Sequence, residues 1–122
     1  MKRFLWFFAL IALPVTALQA MTVAVFLEKA DALERRGVTA MFSSDLRLLK
    51  AEVKGAGEAL KAERERRRAS GQRPLYCAPE RVQLNSRDLL AHFRSIPPAQ
   101  RQRTEVRDAL RQLMVRRYPC PA

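Results

Sequence analysis

Histidine occurs once in the 122 residues, as His92, and cysteine twice, as Cys77 and Cys120. Three such residues without close spacing make a poor zinc set. No histidine stands with a nucleophile in a catalytic arrangement, so acid–base or nucleophilic chemistry of the usual kind has no sequence basis. The four glycines form no loop able to cradle a phosphate. Alternation of apolar and polar residues is missing over any useful length, and there is no internal repeat, which argues against sheets and solenoids. An apolar run of the length needed to span a membrane, about 20 residues, is also missing. No cofactor is expected, and the chain reads as a non-enzyme.

What the chain does have begins at its first residues, MKRFLWFFALIALPVTALQA. Lys2 and Arg3 give a positive start, Phe4 to Leu13 an apolar run, and Pro14 breaks that run before small residues. This is the layout of a cleaved signal peptide over residues 1–20, with the cut after Ala17 or Ala20. The alternative is an uncleaved anchor, for which the run is short. Residues 21–122 then form one small domain. They hold 21 lysines and arginines against 12 acidic residues, a net charge of +9. In the cytosol such a charge would suggest nucleic acid. An exported chain rarely meets it, so an acidic protein partner or an anionic envelope surface is expected, unless the charge only aids solubility.

Export also gives the two cysteines a role. In an oxidising compartment they are expected to close a Cys77–Cys120 disulfide. The loop of about 44 residues sets an upper contribution of about 4 kcal/mol. That is a large share of the roughly 5–10 kcal/mol net stability of a small domain. The bond would staple the terminal RRYPCPA onto the middle of the chain.

Helical periodicity accounts for the rest, and the fold class is all-α: a small four-helix domain with one disulfide. Val23, Phe26, Leu27, Ala30 and Leu33 stripe the first helix, which Gly37 stops. The longest helix starts at a Ser43 or Ser44 cap and carries Leu46, Leu49, Val53, Ala56 and Leu60 on one arc. On another side Ala51, Gly55, Ala59 and Ala62 lie with Leu48, small enough to admit a neighbouring helix. A connector rich in turn residues leads to a third helix, capped by Asn85 or Ser86, with Leu89, Leu90, Phe93 and Ile96 inward. His92 on this helix reads as a surface or satisfied residue. Thr104 is the expected cap of the last helix, whose stripe is Val106, Ala109, Leu110 and Leu113.

Beyond Ala62 the apolar arc is replaced by arginine. Arg64 and Arg67 fall where core is due, so the last turns of the long helix are expected to leave the body, with Glu63 pairing to Arg67. The basic run Arg64, Arg66, Arg67 and Arg68, with Arg73 in the connector, is the candidate partner-binding surface, since arginine is favoured at binding hot spots. A like-charge run at a helix end is equally explained by solvation and the helix dipole. The row Arg103, Arg107 and Arg111 is the second candidate.

Several stretches in order carry a resemblance: a long helix of lysine and glutamate, then Tyr76-Cys77 with Pro79, then Ile96-Pro97-Pro98 running to Arg101, then Arg116 to Cys120. With the signal peptide, this set resembles the Rap/Tai family of immunity proteins linked to type VI secretion, over roughly residues 38–121. The resemblance implies a periplasmic, helical, disulfide-containing protein. It implies that the protein binds a secreted toxin, an effector amidase that cleaves peptidoglycan, and blocks the enzyme's cleft, often as a homodimer, with no catalysis of its own. The positions that match keep the fold: Tyr76, Cys77, Pro79, Ile96, Pro97, Pro98, Tyr118, Pro119 and Cys120. No residue that enters the effector's cleft can be matched. The competing expectation is a basic cell-envelope protein that contacts anionic lipid or polysaccharide.

Overall fold

The computed structural model describes residues 20–122. The expected signal peptide, apart from Ala20, lies outside the described residues. The elements are α1 (Val23–Arg36), a 3₁₀ segment (Gly37–Phe42), α2 (Ser44–Ala69), α3 (Ser86–Ser95), a single turn α4 (Pro98–Arg101) and α5 (Val106–Arg117). The fold is all-α. The four longer helices are those expected from periodicity, and α4 is one extra turn, begun by Pro98 at a first helical position where its missing N–H costs nothing. Among the described residues no helix is long and apolar enough to cross a membrane.

Each helix begins and ends for local reasons. The Thr22 hydroxyl accepts from Val25 N at 3.3 Å, and Gly37, at φ 64°, stops α1 in the left-handed region that glycine tolerates. Ser43 is the cap of α2, accepting from Asp45 N at 3.1 Å. Asn85 caps α3 by accepting from Asp88 N at 2.8 Å. At α5 the expectation fails. Thr104 is not the cap: its hydroxyl donates to Gln100 O at 2.9 Å, and Glu105 holds the cap position without a side-chain bond to the helix backbone. A tertiary contact replaces the cap. Val106 N donates to Met21 O at 2.9 Å, and Val23 N donates to Thr104 O at 2.8 Å, an isolated antiparallel bridge that ties the starts of α1 and α5 together.

The core is the union of the stripes. All five apolar positions expected on α1 are buried, with Leu49, Ala56 and Leu60 of α2, Leu89, Phe93 and Ile96 from the α3 region, and Val106, Ala109, Leu110, Leu113 and Met114 of α5. Phe93 and Val106 are fully enclosed, and the Phe26 and Phe93 rings meet edge to face at 5.2 Å between centroids. Of the small-residue face of α2, Ala59 is half-buried, but Ala51, Gly55 and Ala62 are exposed and Leu48 is 44% exposed. Among the described residues a Cβ added at Gly55 would meet nothing within 4 Å, so, contrary to expectation, no helix packs closely there.

Side-chain ties join the helices at their edges. Arg94 of α3 bonds Asp31 and Glu34 of α1, both at 2.9 Å. Arg117 of α5 bonds Asp88 of α3 at 2.8 Å. Arg111 of α5 bonds Glu63 of α2 at 2.8 Å and Asp108 at 2.7 Å. Glu63 therefore pairs across the fold and not with Arg67 as its spacing suggested. Arg101 donates to Ile96 O and Arg94 O at 2.8 and 2.7 Å, satisfying carbonyls that α3 leaves open at its end. The Cys77–Cys120 disulfide is formed, and beside it Cys77 N donates to Tyr118 O at 2.8 Å. The tail that carries Cys120 is therefore held by both a covalent and a backbone bond.

Candidate functional site

Among the described residues no three histidine, cysteine, aspartate or glutamate side chains gather as metal ligands. The surfaces able to act are those that present chemistry outward, and three stand out.

The basic end of α2 is the first. Its last turns are exposed at Glu65, Arg66, Arg68 and Ala69, as the sequence suggests, but Arg64 and Arg67 stay half-buried. The connector folds back along it: Gly71 at φ 72° reverses the chain, and Gln72 N donates to Arg67 O at 2.9 Å. Arg64 is half-buried, its guanidinium 5.5 Å from the ring centre of Tyr76, and Tyr76 is itself only 4% exposed. Burial raises the pKa of the Tyr76 phenol, and the Arg64 charge opposes that rise in part. Arg67 donates through Nε to Arg73 O at 2.8 Å. Two of the five candidate arginines, Arg64 and Arg67, thus have intramolecular work. Arg66, Arg68 and Arg73 keep exposed side chains with no ion-pair partner among the described residues. Arg64 and Arg68 edge a cleft of about 690 Å³ whose floor includes Leu60, Tyr76, Leu110 and Met114. In the second row, Arg103 is exposed, Arg107 reaches Glu105 at 3.5 Å, and Arg111 is committed to Glu63 and Asp108.

The second surface was not expected. The 3₁₀ segment lifts Val38, Met41 and Phe42 out of the fold, 82%, 73% and 89% exposed. This hook is firmly held. Thr39 Oγ1 donates to Arg36 O at 2.8 Å, Ser43 N donates to Ala40 O at 3.0 Å, and Arg36 reaches Ser43 Oγ at 3.3 Å. Ala40 is the one hook residue that packs toward the core. Exposed arginines flank the hook at Arg35, Arg36 and Arg47. The signal lay in the sequence as three large apolar residues between a helix stop, Gly37, and a helix cap, Ser43. They belong to neither helical stripe, so a periodicity argument passes over them.

The third surface is an apolar groove of about 480 Å³ between α1, α2 and α3. Phe26, Leu33, Leu46, Leu49, Val53 and Leu90 line it, with Lys50 and Lys54 at its edge.

His92 lies elsewhere, between α3 and α5. It is buried at 6% exposure, and neither ring nitrogen has a hydrogen-bond partner among the described residues. It is therefore buried, where the sequence suggested a surface or satisfied residue, and the Ala109 carbonyl faces the ring from outside hydrogen-bond geometry. Burial lowers its pKa, the Arg116 charge lowers it further, and the Ala109 carbonyl pulls weakly the other way. No nucleophile is bonded to the ring.

No family model matches the chain, and neither a curated protein nor a solved structure shows significant similarity to it.

Proposed function

We propose that the protein is an exported, periplasmic immunity protein that binds a secreted toxin and covers its cleft, the toxin being a type VI secretion effector of the peptidoglycan-amidase kind. The observation that carries a binding role is the hook. Large apolar side chains on a soluble domain are normally withdrawn from water, and a contiguous exposed group of them marks a contact surface. Val38, Met41 and Phe42 stand out on a segment clamped at both ends, so their geometry is set before any partner arrives. Such preorganisation lowers the ordering cost of association. An apolar projection with exposed Arg35, Arg36 and Arg47 flanking it in sequence suits insertion into a cleft whose rim is acidic. The disulfide fits an oxidising compartment. The amidase as the partner rests on the ordered motifs of the second half of the chain.

The test is direct. The oxidised protein, immobilised, is used to capture proteins from the type VI secretions of competing strains. The captured enzyme is then assayed on peptidoglycan. Stoichiometric inhibition that Met41→Ser with Phe42→Ser removes supports the reading. A captured amidase that keeps full activity at saturating protein overturns it.

A further inference from the structure

The groove between α1, α2 and α3 is independent of the hook and of the inhibitor reading. Its size is in the range of small-molecule sites, about 300–1,000 Å³, and its character matches theirs: apolar walls with a few polar groups at the edge. Two polar residues at that edge are already engaged. Glu34 is bonded by Arg94 at 2.9 Å, and the Asn85 side chain accepts from Asp88 N at 2.8 Å. Lys50 and Lys54 are not. Both are exposed, both lack an ion-pair partner among the described residues, and they stand one turn apart on α2. Two ammonium groups at that spacing repel, and an anion between them relieves the repulsion. Ser86, the first residue of α3, also lines the groove. The opening N–H groups of a helix have no intrahelical acceptor and carry the positive end of its dipole. The Lys50 and Lys54 side of the edge thus suits negative charge, while the α1 side, where Asp31 and Glu34 share the single Arg94 guanidinium, does not; the walls suit hydrocarbon.

We propose that this groove binds a long-chain fatty acid, with the alkyl chain against Phe26, Leu33, Leu46 and Val53 and the carboxylate at Lys50 and Lys54. The groove, about 480 Å³, has room for a single alkyl chain laid along its apolar wall, and the two unpaired ammonium groups favour an occupant with one negative head.

Calorimetric titration of the oxidised protein with laurate below its micelle concentration tests this. Butyrate serves as the head without the chain, and dodecyl maltoside as the chain without the charge. The expected result is saturable 1:1 binding of laurate, none of butyrate, and weaker binding of the maltoside. Lys50→Gln with Lys54→Gln, both at exposed positions, is expected to weaken laurate about tenfold, the scale of a charge-assisted hydrogen bond, and to leave the maltoside unchanged. Val53→Trp, at a half-buried wall position, is expected to abolish both with the helical spectrum intact. Laurate bound equally well by wild type and the lysine double variant would overturn the carboxylate assignment. Laurate bound normally by folded Val53→Trp would overturn the groove. A wild-type dimer in sedimentation that laurate leaves intact and Val53→Trp dissociates would give the groove to a second copy and overturn the proposal.

Discussion

At its amino end α2 follows three apolar side chains that none of the described residues covers; at its carboxyl end it carries four arginines, two of which the chain itself takes up. Charge at a helix end is cheap to leave in water and easily recruited to local work. Arg64 covers Tyr76 and Arg67 holds the returning connector, so half of that run is explained by folding alone. The hook has no such account. Leaving Phe42 and Met41 in water forgoes about 1.5–3 kcal/mol for each side chain that burial would have supplied. Nothing at the hook returns that within the described residues. The unexplained end is therefore the better guide to function. The two ends are also far apart, since 26 helical residues span about 39 Å. An ordinary interface of about 800 Å² on each partner does not cover both.

The largest expected effect separates the ends by stability. Replacing Cys77 and Cys120 with alanine should cost about 2–4 kcal/mol, read from denaturant midpoints. Amide exchange should quicken most from Tyr76 to the end of α5, close to the basic end, and least in α1 and the hook. Equal loosening at both ends would show that the staple acts on the whole domain.

Next comes a test of which end binds. Met41→Ser with Phe42→Ser should weaken a captured effector by about 2–4 kcal/mol, the range of hot-spot truncations, without lowering the melting temperature. Arg66→Gln with Arg68→Gln should change affinity by less than about 1 kcal/mol and do so mainly at low salt. The reverse ranking would move the interface to the basic end.

Within the basic end a sharper contrast is available. Arg64→Gln should destabilise the fold by about 1 kcal/mol through loss of its place over Tyr76, while Arg66→Gln should leave the melting temperature unchanged. If both are silent, Arg64 is no more structural than its exposed neighbour.

Away from both ends, His92 sets the smallest expected effect. Its folded pKa lies below 6.5, so the unfolded state binds the proton more readily. Its contribution is intact above about pH 6.5 and is lost as pH falls from there through the folded value. Asp88 of α3 and Arg116 and Arg117 of α5 line the same surface, and Asp88 is held by Arg117 at 2.8 Å. His92→Leu should flatten this part of the stability–pH curve, measured by urea melts at pH 5 to 8, while hook variants keep it. An unchanged slope would assign the acid response to the carboxylates.

What periodicity could say, it said well. The stripes of α1, α3 and α5 are the core because a 3.6-residue repeat puts them on one face whatever the partner is. The disulfide followed from compartment and count. The failures share a cause, which is that the deciding neighbour is remote in sequence. Thr104 lost its expected cap because Met21 supplies the first acceptor. Arg64 stays against the body because Tyr76 returns beneath it. Glu63 finds Arg111, 48 residues away, before Arg67. The small-residue face of α2 shows the converse, a local pattern with no remote partner. Of the candidate site, the basic run was legible as composition, but not which arginines were already engaged. The hook lies between two helices, so its apolar residues belong to neither 3.6-residue repeat.

The covalent closure at Cys77 and Cys120 has a mechanical meaning as well. A pull applied at the two ends of the described chain enters at the carboxyl side near Cys120 and crosses directly to Cys77. The intervening α3, α4 and α5 carry no tension along their backbone. Only the segment before Cys77, with α1, the hook and α2, can be drawn out. The 43-residue separation hides roughly 150 Å of contour at about 3.5 Å per residue. Under load the oxidised protein behaves as a short tether ending in a closed ring, and reduction would release the hidden length as a second, discrete extension.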